Sequence, residues 1–394
     1  MNEHVPHSRS PRSPRAHRSR RGRHMVAAAV AAGVVAAGVL APTAAFAGAK
    51  PDSVQQSLNA LVKDDGLPAA LASVKGRDGR TRTYTAGVGD IATGAKPPVD
   101  GQIRAGSNTK TFTAVVVLQL VAEGKIGLDA PVDTYLPGLL RGDGIDGRHI
   151  TVRQLLQHTS GLPDYMDAPA LADFTTVQYR YFEPRDLLDG ALAQQARFPA
   201  GTSWEYSNTN YIVAGLLVQK VTGRPVGEEI TKRVIDRIGL RHTYFPTPGD
   251  TSIHEAHPQG YFRSSPDAPP IDYTEMDASM AWAAGAIVST NTDLNAFFTA
   301  LLGGRLLPAA QLAEMRTTVP AELLGPGVRY GLGLQSRPLS CGGLSWGHGG
   351  TSPGYRSRGG VTDDGRAATI TVTTVPGGAG AQHMADALDA ALCL

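Results

Sequence analysis

The sequence predicts an α/β (α+β) chain, an antiparallel sheet built from both ends and flanked by helices, with a mostly helical lobe inserted between. Three observations predict it. Two β-like runs, 69–75 and 82–92, stand near the start, joined by the turn Gly76-Arg77-Asp78-Gly79. Short β-like runs at 329–334, 343–348, 354–361 and 367–374 crowd the last hundred residues. Between them, 129–290 shows helical patterns broken by Pro- and Gly-containing loops. One domain, 52–394, is expected, with 52–128 and 291–394 as the α/β lobe and 129–290 as the helical lobe. A site is expected in the cleft between lobes.

Residues 1–47 are expected to be a signal peptide. Residues 1–24 carry seven arginines and one acid, Glu3. A run from Met25 to Ala41 of mostly Ala, Val, Gly and Leu follows, and Ala45-Phe46-Ala47 supplies the small-x-small pattern of a cleavage site. The competing reading is a membrane anchor, but the run is short and weakly apolar. No membrane span is expected after cleavage, and the protein is expected to be secreted. Arg20-Arg21 leaves the export route open. The formal charge of +2 comes from this leader: without residues 1–24, 30 basic face 34 acidic side chains. Nothing in that mildly acidic remainder suggests nucleic-acid binding, and no nucleic-acid partner is expected.

Helical spacing of Val54, Leu58, Leu61 and Val62 predicts the first helix, ended by Gly66. A strongly apolar helix is expected from Ser107 to Glu123, and further helices at 180–197, 209–222, 292–303 and 380–392. The loop 244–274 is too long for a simple connector and is read as a surface excursion or a cleft wall. Cys341 and Cys393 form a disulfide or remain two buried thiols; export favours the bridge.

Ser107-Asn108-Thr109-Lys110 opens the apolar helix, so a hydroxyl and an amine lie one turn apart on one face. Desolvation and the positive helix end both lower a lysine's pKa there, which lets it take the serine proton. In Tyr206-Ser207-Asn208, the tyrosine can move a proton and the asparagine can grip an amide. In His348-Gly349-Gly350-Thr351, the glycines let a substrate backbone approach, and His348 supplies a positive or donor group. The N–H groups of Ser107 and Thr351 are candidate oxyanion-hole donors. Each motif alone has a bland explanation: a helix cap, a packed tyrosine, a Gly-rich turn.

Together and in this order, the motifs resemble the serine β-lactamase and penicillin-binding protein superfamily, above all the secreted Streptomyces-type D-alanyl-D-alanine carboxypeptidases, which are class C β-lactamase-like. Ile103 to Lys110, the segment Leu155-Leu156-Gln157-His158-Thr159-Ser160-Gly161-Leu162-Pro163-Asp164-Tyr165, Tyr206 to Tyr211 and Gly331-Leu332-Gly333-Leu334 carry the likeness. The resemblance implies a β-lactamase/transpeptidase-like fold and an acyl-enzyme on Ser107. It makes Lys110 and Tyr206 the general base and acid, and Asn208 the grip on the acyl amide. His348 then stands for the lysine of the Lys-Thr-Gly form, and Gly350 and Thr351 line the substrate. His158 is given no chemistry. Trp282 is a further cleft candidate, with core packing as the alternative.

Two departures matter. The third motif lacks the hydroxyl of the family's His-Thr-Gly, and Gln335 stands where the carboxypeptidases hold an arginine for the substrate carboxylate. A two-residue shift would bring Arg337 there instead. The expected activity is D-alanyl-D-alanine carboxypeptidase action on peptidoglycan stem peptides, with acylation by β-lactams. The alternatives are an esterase, D-aminopeptidase or β-lactamase, or a penicillin-binding sensor without turnover. No cofactor or metal is expected, since His254 and His257 sit in a polar loop without cysteines. A monomer is expected.

Overall fold

The computed structural model describes residues 52–265 and 267–394. The expected leader, 1–47, lies outside the described residues. Helix α1 (Ser53–Lys63) begins at Asp52, whose carboxylate accepts the Val54 N–H at 3.0 Å, and it buries Val54, Leu58 and Leu61. Strands β1 (Ala69–Lys75) and β2 (Thr81–Gly87) form the first hairpin. The second strand stops five residues short of the expected end. There the Val88 N–H bonds Pro68 O and Gly89 bonds Ala95 O, which curls the chain into a loop. Helix α2 (Thr109–Ala122) follows a single 3₁₀ turn, Gly106–Asn108.

The helical block includes Pro184–Leu192 and helix α3 (Thr209–Thr222). The first is shorter than expected because Pro184 sets its start. Helix α4 (Asn291–Leu302) leads back to the sheet. Three two-stranded ribbons lie apart from the main sheet, whose remaining strands are β3 (Val319–Pro320), β4 (Arg329–Tyr330), β5 (Gln335–Pro338), β6 (Leu344–Gly347), β7 (Gly349–Ser352), β8 (Tyr355–Thr362) and β9 (Ala367–Val372). Helix α5 (Gly378–Leu392) closes the described chain.

The run 329–334 is a strand only over its first two residues. Gly331 donates to Leu334 O, and Gly333 donates to Leu156 O, so the backbone turns instead of pairing. The turn is tied to α2 as well, where Thr111 Oγ1 donates to Gly333 O at 2.7 Å.

The nine strands form one antiparallel sheet in the order β2-β1-β9-β8-β6-β5-β4-β3, with β7 paired to β8 alone. The first hairpin therefore lies beside the last strand, so the sheet draws on both ends of the chain. Alternation divides its faces. Ala70, Ala72, Val74, Ile370 and Val372 pack under α1 and α5 with Leu58, Leu61, Met384 and Leu388. The other face meets α4 through polar contacts: Asn295 Nδ2 donates to Ser73 O at 2.8 Å, and Thr371 Oγ1 to Asn291 Oδ1 at 2.6 Å.

Cys341 and Cys393 form a disulfide, which ties the end of α5 to the β5–β6 turn. Among the described residues, no helix is long and apolar enough to cross a membrane.

Candidate active site

The nucleophile segment is folded by close backbone contact. Gly106 has φ 53°, in the left-handed region, and a Cβ there would sit 2.6 Å from Thr351 O. A Cβ on Gly350 would collide with Ala105 O and lie 2.7 Å from Asn108 Nδ2. The two glycines thus let β7 lie directly on the turn that carries Ser107. Asn108 pins the contact by donating to Ala105 O at 2.7 Å and to Ser357 Oγ on β8 at 2.9 Å.

Ser107 lies in the 3₁₀ turn, and Lys110 lies in the first turn of α2 beneath it. The Lys110 side chain is fully buried, and Nζ reaches Ser107 Oγ at 3.0 Å, Asn208 Oδ1 at 2.7 Å and Ala284 O at 2.8 Å. Burial pulls its pKa down to about 7, against the opposing charge of Asp164. That geometry fixes what the neutral amine does. Its two N–H bonds are spent on Asn208 Oδ1 and Ala284 O, which can only accept, so the lone pair is left for the Ser107 hydroxyl.

Asn208 is oriented by a residue to which the sequence alone gave no role. Asp164 Oδ2 accepts the Asn208 backbone N–H at 2.9 Å and its Nδ2 at 2.8 Å, while Oδ1 accepts the Met166 N–H at 3.0 Å. Burial raises the pKa of this half-buried carboxylate, and the three partners, all donors, favour its charged form against that. With Nδ2 turned to Asp164, Asn208 Oδ1 must face Lys110. Asp164 lies in the Leu155–Tyr165 segment, and its place beside a polar motif was the signal available.

Tyr206 lies beside Ser107, whose hydroxyl holds the phenol's pKa down, but burial wins and raises it well above the usual value. Lys110 Nζ is 4.9 Å from the centre of its ring. The phenol keeps its proton, so Lys110 is the base of the pair.

His348 departs from the expected positive or donor group. The Ser207 N–H donates to His158 Nδ1 at 3.2 Å, which leaves His158 Nε2–H to donate to Tyr330 Oη at 3.2 Å. Tyr330 then donates to His348 Nε2 at 2.9 Å, and His348 Nδ1–H is taken by Gly349 O. Burial drops the His348 pKa to about 3. Its ring is neutral and both nitrogens are engaged inside the protein, so it shapes the strand and offers the substrate no charge.

A cleft of about 1290 Å³ brings together Ser107, Tyr206, Asn208, Gln335, His348, Gly350 and Thr351, and the expected long loop contributes Tyr261 and Phe262 to its wall. Arg337 lines it as well, and its Nη2 donates to Gln335 Oε1 at 3.1 Å. The alternatives Gln335 and Arg337 are therefore one hydrogen-bonded pair. Trp282 is not part of the wall. Its ring lies over α3, where a Cβ on Gly215 would be 2.6 Å from the indole, and its φ of 35° is strained. Two residues on, Ala284 O receives Lys110, so Trp282 braces the segment beneath the site.

Known proteins are similar to this chain in fold and sequence. A D-stereospecific amidohydrolase from Streptomyces sp. superposes with a TM-score of 0.80 at 42% identity, covering 86% of this chain and 98% of that one. The D-amino acid amidase of Ochrobactrum anthropi SV3 gives 0.74 at 26% identity, over 86% and 96%. PbpX of Bacillus subtilis (strain 168) is 26% identical over 270 residues, 68% of this chain. The match spans 61% of PbpX, less than two thirds of its length. The family model described as Beta-lactamase matches residues 54–393. With a match of that extent, the chain belongs to the Beta-lactamase family of serine hydrolases.

Proposed function

We propose that the chain is an amidohydrolase that cleaves the amide or peptide bond beside a D-residue, through an acyl-enzyme on Ser107. The observation that carries it is the Lys110 amine, fixed by Asn208 Oδ1 and Ala284 O so that its lone pair meets the Ser107 hydroxyl. Lys110 takes the Ser107 proton as Oγ attacks the carbonyl carbon. The N–H groups of Ser107 and Thr351 stabilise the oxyanion, a kind of contact worth about 2.7–4 kcal/mol. The proton passes from Lys110 by way of the Tyr206 hydroxyl to the leaving nitrogen as the C–N bond breaks. Water then attacks the ester by the same path in reverse, which frees the acid and restores Ser107.

The preference for D-residues draws on the likeness to the D-stereospecific amidohydrolase and the D-amino acid amidase. D-alanyl-D-alanine carboxypeptidase action on peptidoglycan stem peptides is the finer form of the proposal, because Arg337 puts a cation in the cleft for a terminal carboxylate. The disulfide supports work outside the cytoplasm after removal of residues 1–47.

The experiment is a substrate panel on purified protein: diacetyl-Lys-D-Ala-D-Ala, D- and L-amino acid amides, simple esters, and a fluorescent penicillin. Release of D-Ala is expected, with D-amides cleaved and L-amides spared. Cleavage of D-amides without D-Ala release leaves the amidase form and removes the carboxypeptidase. Penicillin labelling with no turnover of any substrate removes both and leaves a sensor.

A further inference from the structure

Of the four arginines that line the cleft, Arg263 lies in the long loop and three lie on strands of the main sheet. Arg337 lies on β5, and Arg356 and Arg358 lie two apart on β8, so that pair leaves the sheet on one face. Opposite them on β7 stand Thr351 and Gly349. Gly349 has no side chain, and a Cβ there would be 3.9 Å from Arg358 Cγ. The strand that separates this face from Ser107 therefore presents little of its own above the arginines.

Among the described residues, no carboxylate lies within salt-bridge reach of any of the three. Arg337 spends its hydrogen bonds on Gln335 Oε1 and on Leu324 O at 3.3 Å. Arg358 Nε is buried without a partner. Asp65, an acid on the same cleft wall, is already held by His383 at 2.8 Å. Burial lowers the pKa of all three arginines, and mutual repulsion adds to this for Arg337 and Arg358. Crowded, half-buried guanidinium groups without a counter-charge are costly, and an anion with two acceptor groups relieves that cost.

We propose that Arg356 and Arg358, with Arg337, form a second anion subsite, and that the favoured leaving group carries two carboxylates: a C-terminal acidic D-residue. This deepens the amidohydrolase reading and rests on it. Arg337 is linked through Gln335 to His348, whose Nε2 lies 3.4 Å from Gln335 Nε2, so it stands at the third-motif end of the cleft. One carboxylate engages Arg337. The other engages the β8 pair, whose planar forks match it.

Hydrolysis of acetyl-D-Ala-D-Glu and acetyl-D-Ala-D-Ala by the full chain tests this. The expected kcat/KM favours the acidic peptide by about tenfold or more, the scale of a charge-assisted pair. In R356Q/R358Q the ratio falls toward one, mainly through a higher KM for the acidic peptide. Equal kcat/KM in the unaltered protein overturns the subsite, whether or not the double variant folds; so does a ratio that survives the substitutions. Calorimetry on Ser107→Ala with free D-glutamate and D-alanine separates binding from chemistry. If neither these peptides nor D-amino acid amides are cleaved but D-glutamate binds at least tenfold tighter, the subsite stands and the amidohydrolase reading falls. Equal binding of the two amino acids removes the subsite whatever the activity.

Discussion

The carboxylate of Asp164 accepts both the backbone N–H and the side-chain amide of Asn208, at 2.9 and 2.8 Å, and so decides which end of that amide meets Lys110. Asp164 touches neither Ser107 nor the open cleft, so it is a positioning residue. Its charge also raises the Lys110 pKa, against burial. Asp164→Asn should lower acylation by on the order of 10²-fold through misplacement of Asn208. It should also move the pH midpoint of acylation to lower pH, because the charge that favoured Lys110-H⁺ is gone. A midpoint that stays in place, measured by single-turnover labelling across pH, would show that Asp164 acts through shape alone.

The pH profile of the intact protein follows from the same lysine. The folded pKa of Lys110 is depressed to about 7, so the amine is charged and unable to accept a proton below that pH, and free to do so above it. Acylation should rise through about pH 7 with a one-proton slope. The buried histidines do not compete for the assignment: His348 is pulled to about 3, and His158 well below its usual value. Lys110→Arg, which cannot give up its proton, should lose about 10²–10⁴-fold in rate and flatten the limb. A limb retained in that variant would assign the proton elsewhere.

Ser107→Ala removes one half-buried oxygen from a turn whose shape is set by Gly106 and Asn108. Covalent labelling by penicillin should vanish while the thermal melt stays within a degree or two of the parent. Equal labelling of parent and variant would displace Ser107 as nucleophile.

Gly350→Ala tests the contact between β7 and the nucleophile turn. The added methyl collides with backbone, at Ala105 O, and cannot be absorbed by a side-chain rotation. Separating strand from turn should cost about 10²–10³-fold in acylation, the scale of one lost oxyanion donor. Near-parental kinetics with this variant would mean that the strand is not part of the site.

The disulfide closes a loop of sequence separation 52, worth roughly 4 kcal/mol in the chain-entropy model. Neither cysteine lines the cleft. Cys341→Ser with Cys393→Ser should lower the unfolding free energy from denaturant melts by that order and leave the acylation rate at 25 °C unchanged. A fall in rate without a fall in stability would reveal a link from α5 to the site.

The fold and the three motifs were legible because each is written in local pattern: apolar periodicity in α2, strand runs at both ends, and helix-opening polar triplets. What stayed hidden depends on contacts between distant residues. Asp164 gains its role only when Asn208, 44 positions on, is folded against it. His348 reads as a cation until Tyr330 fills its Nε2 and Gly349 O takes its proton. Trp282 reads as a cleft aromatic until Gly215 makes room for it against α3. Gly331 to Leu334 alternates like a strand, yet its N–H groups are drawn off to Leu334 and Leu156. The arginine cluster joins residues from two strands, and neither strand's sequence announces the other.

Strand order also has a consequence for when the enzyme comes into being. The opening hairpin finds its neighbour only once β9 has been made, close to three hundred residues later, and the turn bearing Ser107 waits almost as long for β7 to settle on it. A ribosome that has delivered the nucleophile and its lysine has therefore delivered no catalyst. Activity is withheld until β7 and β9 have both been made, since the site depends on the completed sheet.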